Sequence, residues 1–483
     1  MPRTGQDYLH SIRDGRVIYL DGQLIEESVD HPAFRNAART IAGLYDFQSA
    51  PGNGDLMTFE SPSGGGAVNR FWQLPKSYEE LVKRREAITA WAELTYGFLG
   101  RSPDHVGSCL AGMVMGIDVF ENHSPQRARA LLDYYEYVRD RDLFVTYVIA
   151  NPRSDHSKAV GQQEEDQFLI AAISDEDSEG ITIKGAKMLG TSAVIADEVL
   201  VATGQPLRAG EEMYAFCAAV PMNAKGLKIL PRKSYEAAAV SQFDNPLSTN
   251  LDENDAVLYF DEVKVPWDRV FVYKDPEMCR AMFNDAPTHM FQNYQAQIRL
   301  SVKTRFLLGV ARKIAEVNGI LSIPEVSGKL GYLAAKTGMM EGMVKGMEAG
   351  GRYYGEYFLP DRKLLYSAQV LGQQFYPELV FMVRDLSGAN LIMMPPSVQD
   401  FANPETAAFI EKTQRSPTVD PKDKVKLFKL AWDAVGSEFA SRHAQYEMFY
   451  SGGEFVTRGR SFNNYDWDNV TDLVDGLLGS YDL

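Results

Sequence analysis

The feature that most constrains this chain is a hydrophobic period that changes twice. Up to about residue 145 apolar residues recur mainly at helical spacing. From there to about residue 275 they fall into short runs separated by turn residues, and from about 280 the helical period returns and stays. A helix apolar on one stripe and a strand apolar on one face must each bury that surface, so the order requires helical layers around a central β unit. The chain has 483 residues, 45% of them hydrophobic, which is more than one ordinary core accommodates. The expected units are 1–145, mainly helical; 146–275, a β domain; and 276–483, a helical bundle with its tail.

Local signals fill in this outline. Val17 to Leu20 reads as a strand before the turn Asp21-Gly22, and Gly64 to Gly66 reads as a turn between two short strands. Ser77 to Glu80 has the pattern of a capping box, ahead of Leu81, Ile88, Trp91 and Thr95 at helical spacing. That helix is expected to stop between Gly97 and Gly100 and to deliver the chain into a loop, GRSPDHVGS. In the middle third, Ile181, Ile183 and Met188 suggest strand around a turn at Gly-Ala-Lys. Ala196–Ala202, Met213–Pro221, Leu227–Leu230 and Ala256–Phe260 are further β runs, and VKVPWDRVFVY closes the unit. Phe306, Leu307, Val310, Ile314 and Val317 share one helix face. Helices are also predicted over 326–348, 366–386 and 421–450, a set that packs as a bundle.

Several function classes drop out. The formal net charge of -16 disfavours nucleic acid and anionic membranes as partners. No window reaches the roughly 18 apolar residues of a membrane span, and the N-terminal segment has no signal-peptide core, so a cytoplasmic protein is expected. Cys109, Cys217 and Cys279 form no C-x-x-C pair, so neither a disulfide framework nor a zinc site is indicated. There is no G-x-G-x-x-G, no Walker motif, no H-E-x-x-H and no G-x-S-x-G, so the chain shows no nicotinamide or triphosphate site of its own, and no metal site is expected.

GRSPDHVGS, residues 100–108, resembles the G-R-[ST]-P-D-Y stretch of the oxygenase components of the 4-hydroxyphenylacetate 3-monooxygenase family. Similar segments run the length of the chain: RTGQDYLHSIRDGR, HPAFRNAART, NPRSDH, GAKMLGTSA, FDNPLSTNLDENDAVLYFDEVKVPWDRVFVY and WDAVGSEFASRHAQYEMFYSG. The resemblance implies an α+β, acyl-CoA-dehydrogenase-like fold with an N-terminal helical domain, a central β-barrel and a C-terminal four-helix bundle that assembles a homotetramer. It also implies FAD as cofactor, delivered as FADH2 by a separate NAD(P)H-dependent reductase. With O2 the reduced flavin gives a C4a-hydroperoxide, which hydroxylates a small phenolic substrate, such as a 4-hydroxyphenyl or tyrosine-like compound, ortho to its hydroxyl.

The same resemblance assigns residues. Arg101 matches the family arginine that stabilises the oxygen-carrying flavin and a substrate phenolate, as an always-charged guanidinium with five donors can. His105 stands where the family has tyrosine, and Tyr147 stands where it has histidine, so the two groups are exchanged. A neutral imidazole could accept the phenol proton while Tyr147 orients the oxygen. Flavin contacts are implied at Tyr147, Val148 and Ile149, at Arg153, Ser154, Asp155 and His156, at Thr191, and at Tyr450, Ser451 and Gly452. The substrate-covering loop, residues 203–210, carries Gly204 and Gln205 where the family has small hydroxylated residues. Residue chemistry alone reads His443 as a packing histidine, His31 as a turn residue and VKVPWDRV as structural.

Alternatives remain. The radical dehydratase branch of the superfamily needs several converging thiolates for its iron–sulfur cluster. A non-catalytic tetrameric scaffold would not need Arg101 with a His/Tyr pair. The same chemistry could act on a pyrrole or indole, or on a phenol tethered to a carrier protein.

Overall fold

The computed structural model describes residues 2–481 with the exception of 154, 156 and 164–166. The helix–sheet–bundle order is present. Helices Arg35–Ser49, Tyr78–Leu94, Pro103–Met115 and Pro125–Asp140 dominate the first part. Ser77 caps the second of these, its Oγ accepting from the Glu80 amide at 3.3 Å, while the Glu80 carboxylate takes the Lys76 amide at 2.6 Å. The strand Val17–Leu20 leaves this region to pair in parallel with Leu227–Pro231, so an N-terminal hairpin extends the central sheet.

The β region consists of two sheets. One has six strands in the order Gln23–Ile25, Val17–Leu20, Leu227–Pro231, Asp255–Pro266, Gly180–Thr191, Ala172–Glu176. The other has four, in the order Val270–Tyr273, Phe216–Pro221, Glu198–Ala202, Val145–Val148. The expected barrel is therefore open: among the described residues no strand ladder closes the ring, and a single bridge, Ala150 to Met188, links the two sheets. Two register shifts bend the central pair Asp255–Pro266 and Gly180–Thr191, which turns the sheets onto each other without continuous pairing. The turn expected at Gly-Ala-Lys is absent. Gly180–Thr191 is one strand, and Gly185 takes φ 109° where a Cβ would stand 2.5 Å from the Ile170 carbonyl oxygen.

The C-terminal part packs Thr288–Val317, Pro324–Ala349, Arg362–Ser387 and Pro421–Val435 side by side. The single helix expected over 421–450 is two, because Gly436 ends the first and Ser437 caps Glu438–Phe449. One buried apolar cluster runs from Tyr8 to Phe439 through all three regions. All three cysteines are buried and free, and among the described residues no helix is long and apolar enough to cross a membrane.

Candidate active site

The site forms where the helix Pro103–Met115 meets the strand Val145–Val148, the long helix Thr288–Val317 and Glu438–Phe449. Two glycines bring Arg101 there. Gly97 adopts φ 73°, and a Cβ on it would stand 2.7 Å from Lys303 Cβ, so the turn lies directly on the long helix. A Cβ on Gly100 would overlap the Tyr446 ring, so glycine lets that ring pack beside the next residue. Pro103 then starts a helix with its fixed φ in the first turn. The stretch read as a loop is thus a short approach followed by a helix, with Asp104 and His105 in its first turn.

Arg101, His105 and Tyr147 come together as the sequence predicts. Arg101 and His105 are buried and Tyr147 is half-buried. The His105 and Tyr147 rings stack at 5.7 Å and 19°, and the Arg101 guanidinium lies 4.9 Å from the Tyr147 ring centre and 5.3 Å from that of Tyr446. Arg101 Nη1 contacts His105 Nε2, and Gln292 Nε2 reaches the same nitrogen at 2.8 Å. His105 Nδ1 faces Gln295 Oε1 at 3.0 Å. Among the described residues no carboxylate forms an ion pair with the Arg101 guanidinium.

Burial, and then the charge of Arg101, holds the His105 imidazole well below its usual range, so it is neutral at pH 7. Burial also lowers the Arg101 guanidinium, but Tyr147, Tyr446 and Glu253 outweigh it and the group stays above its ordinary value. The Tyr147 phenol is pushed up by burial, against the pull of Arg101 and a hydrogen bond from Gln292. His105 is expected to accept the phenol proton, and in the structure its Nε2 faces Arg101 Nη1 and Gln292 Nε2, both of which are donor groups.

Beneath Arg101 runs a buried ion network. The Arg101 amide donates to Glu253 Oε2 at 2.7 Å, and Arg442 donates to Glu253 Oε1 at 2.6 Å and to Asp255 at 2.6 and 2.9 Å. Asp255 also accepts from the Thr191 hydroxyl at 2.7 Å, and Thr146, next to Tyr147, donates to the Thr191 carbonyl at 2.6 Å. Leu189 and Ser192 flank Thr191 at φ 62° and 63°, a backbone state that non-glycine residues keep mainly where surroundings impose it.

Comparison with known proteins matches the N-terminal model of 4-hydroxyphenylacetate 3-hydroxylase to residues 4–272 and its C-terminal model to 279–479. The chain belongs to the 4-hydroxyphenylacetate 3-hydroxylase family. A relative from Pseudomonas aeruginosa, a 4-hydroxyphenylacetate 3-monooxygenase oxygenase component, is 32% identical over 100% of this chain and 93% of its own. One from Streptomyces globisporus, named as a monooxygenase of a carrier-protein-bound 3-amino-3-(3-chloro-4-hydroxyphenyl)propanoyl group, is also 32% identical, over 100% of this chain and 92% of its own. The crystal structure of the oxygenase component HpaB with FAD and 4-hydroxyphenylacetate superposes with a TM-score of 0.93 at 29% identity, covering 99% of this chain and 98% of that one.

The remaining positions that the family resemblance singles out are spread around this centre. Val148 is buried, and Ile149 and Arg153 are half-buried. Asp155 accepts from the Ser157 amide at 2.9 Å within its own loop, and Ser154 and His156 lie outside the described residues. The Thr191 hydroxyl is committed to Asp255 rather than free. Tyr450 stacks on Tyr446 at 5.6 Å and contacts Gln297, Ser451 Oγ is buried with no partner among the described residues beyond the neighbouring Tyr450 hydroxyl, and Gly452 takes φ 101°. In the loop between Glu198–Ala202 and Phe216–Pro221, a Cβ on Gly204 would approach only Ile149, at 3.6 Å, and Gln205 Oε1 accepts from Asn151 at 3.1 Å. Buried Lys187 ties this loop down, donating to Asn151 Oδ1 at 2.7 Å, the Ala202 carbonyl at 2.9 Å and Thr203 Oγ1 at 3.1 Å. His443 is a bundle residue, as read, set against Phe98 and Phe439 with Lys303 3.2 Å from its Nδ1.

Residue reading missed Gln292, Gln295, Glu253, Tyr446 and Lys187. A signal was present for the glutamines: HMFQNYQAQIRL carries polar residues on every face of a bundle helix, and all twelve are buried. Polar groups in such a position need partners inside the protein.

Proposed function

We propose that this protein is the oxygenase component of a two-component flavin monooxygenase and hydroxylates a phenol ortho to its hydroxyl group. The observation that carries this is the buried Arg101 guanidinium, bordered by aromatic rings and a neutral imidazole, with no carboxylate beside it among the described residues. Buried charges are normally paired within the protein. A guanidinium left without an anionic partner suits an anion that arrives with the substrate.

Ring hydroxylation needs an electron-rich ring, and a free phenol near pKa 10 is mostly protonated at neutral pH. Arg101 donates to the substrate oxygen and lowers its pKa, since an opposite charge favours the ionised form. Tyr147, stacked beside His105, orients that oxygen. His105 serves as acceptor for Arg101 and keeps the guanidinium aimed. The overall change consumes O2, with one atom entering the ring and the other leaving as water.

FAD, arriving reduced from a separate NAD(P)H-dependent reductase, supplies the two electrons for that water. The residues suit it: among the described residues the buried Ser451 hydroxyl has no partner beyond the neighbouring Tyr450 hydroxyl, and Gly452 beside it takes φ 101°, a backbone state that glycine adopts without strain. Arg101, the edge Tyr147–Ile149, Arg153, the Thr191 segment and Tyr450–Gly452 would hold the cofactor. The loop with Gly204 and Gln205 covers the substrate. With space beside Ile149 in place of a side chain, it favours a phenol other than 4-hydroxyphenylacetate, either free or, as with the Streptomyces relative, carrier-bound.

We read the chain as three units, 1–145, 146–275 and 276–483, working as a homotetramer in the cytoplasm. Leu473 and Leu477, 75% and 65% exposed on the last helix, support self-association, and light scattering of the purified protein tests it. For activity, the protein is incubated with a generic flavin reductase, NADH, FAD and a panel of phenols, pyrroles and indoles. Hydroxylated phenol in excess of free peroxide is expected. Peroxide alone across the panel contradicts the reading, and product only from heteroarenes replaces the substrate class.

A further inference from the structure

Two of the three glutamines of the long helix, Gln292 and Gln295, are unused by the function as derived, yet both meet the imidazole that contacts the Arg101 guanidinium. His105 Nε2 faces a guanidinium that only donates, and Gln292 Nε2 stands 2.8 Å away on the same side. That nitrogen therefore carries a lone pair, and the proton of the neutral ring sits on Nδ1. Nδ1 points at Gln295 Oε1 at 3.0 Å, and Gln295 Nε2 points at Asp104 Oδ2 at 3.0 Å. The other Asp104 oxygen takes the Ser102 hydroxyl. An ionised carboxylate can only accept, so it fixes which end of the Gln295 amide faces which neighbour. The amide in turn fixes the imidazole. Burial pushes the Asp104 carboxyl up, while Ser102, Gln295 and the nearby Arg84 charge pull toward ionisation.

We infer that Gln295 is a positioning residue: with Asp104 it locks His105 in the Nδ1–H tautomer, and that tautomer holds the Arg101 guanidinium toward the substrate oxygen. The chain runs Asp104, Gln295, His105, Arg101, with every donor facing an acceptor. The reverse tautomer would set an N–H against the guanidinium and drive Arg101 out of place. The structural half stands on these contacts alone, whereas its effect on turnover rests on the oxygenase reading above.

Neutron diffraction from deuterated protein reads the tautomer directly, with no substrate or flavin present. Deuterium on His105 Nδ1, none on Nε2, and an ionised Asp104 are expected. Deuterium on Nε2 overturns the inference. Two variants test the consequence by the ratio of hydroxylated product to peroxide. Gln295→Leu is expected to lower that ratio roughly tenfold, as loss of a group that orients an active-site histidine does. The pair Gln295→Glu with Asp104→Asn, which keeps an acceptor opposite Nδ1 and a donor opposite residue 295, is expected to recover most of it. A fully coupled Gln295→Leu enzyme, or a double variant no better than the single one, overturns the inference. If instead the wild-type protein has the Nδ1–H tautomer but hydroxylates nothing, the oxygenase reading fails and the relay stands.

Discussion

Arg101 and Arg299 are both buried arginines at the junction of the N-terminal region with the bundle, and they differ in one respect. Arg299 forks onto Glu447, which also takes Lys303 at 3.0 Å, so its charge is neutralised inside the protein. Arg101 touches a neutral imidazole and two aromatic rings, and the nearest anion, Glu253, is engaged by its backbone amide and by Arg442. The charge-paired arginine braces the bundle. The guanidinium of the other is paired with no carboxylate among the described residues. Burial alone does not separate structural from functional charges here, whereas the identity of the partner does.

This contrast can be broken by substitution. Arg299→Met leaves Glu447 buried beside Lys303 alone and should cost about 3–5 kcal/mol of stability, read as a fall in denaturation midpoint. Arg101→Met should leave that midpoint nearly unchanged but reduce hydroxylation by about 10²–10³-fold with a permissive phenol, the loss typical of a missing charge-stabilising donor. Similar destabilisation in both variants would erase the distinction.

Acid sharpens it. Glu447 has its pKa lowered to about 2 from an ordinary 4.5, burial opposing and Arg299 and Lys303 outweighing it. The unfolded chain thus binds this proton more readily, so the pair's stabilisation is complete above pH 4.5 and lost as pH falls toward 2. Glu447→Gln should flatten that part of a stability–pH curve. His105, held far below its usual range, should add no inflection to coupling between about pH 6 and 8. The smallest effect is expected at Gly204, where a Cβ meets Ile149 at an ordinary 3.6 Å. Gly204→Ser should shift stability by less than about 0.5 kcal/mol while changing KM among phenols that differ opposite the hydroxyl.

Much of the fold was legible because period survives burial: the three regions and most bundle helices follow from it. The break at Gly436–Ser437 was not, since the apolar stripe runs on across it, and a closed barrel could not be judged because closure depends on pairing between distant strands. Arg101 and His105 were legible through the GRSPDH segment, and Tyr147 through the position at which the family has histidine. The contacts of His105 were not, because they come from Gln292 and Gln295, about 190 positions away, and a glutamine in a helix carries no mark of whether it faces solvent or an imidazole. Glu253 and Asp255 were hidden for the same reason within a run of acidic residues that reads as surface.

The central claim is that Arg101 offers its charge to a substrate oxygen. Spectral titration of a chromophoric nitrophenol bound to the protein with FAD measures this directly. A bound pKa at least about one unit below that of the free phenol is expected, with the shift lost in Arg101→Met. A bound pKa equal to or above the free value in the wild-type protein would contradict the account.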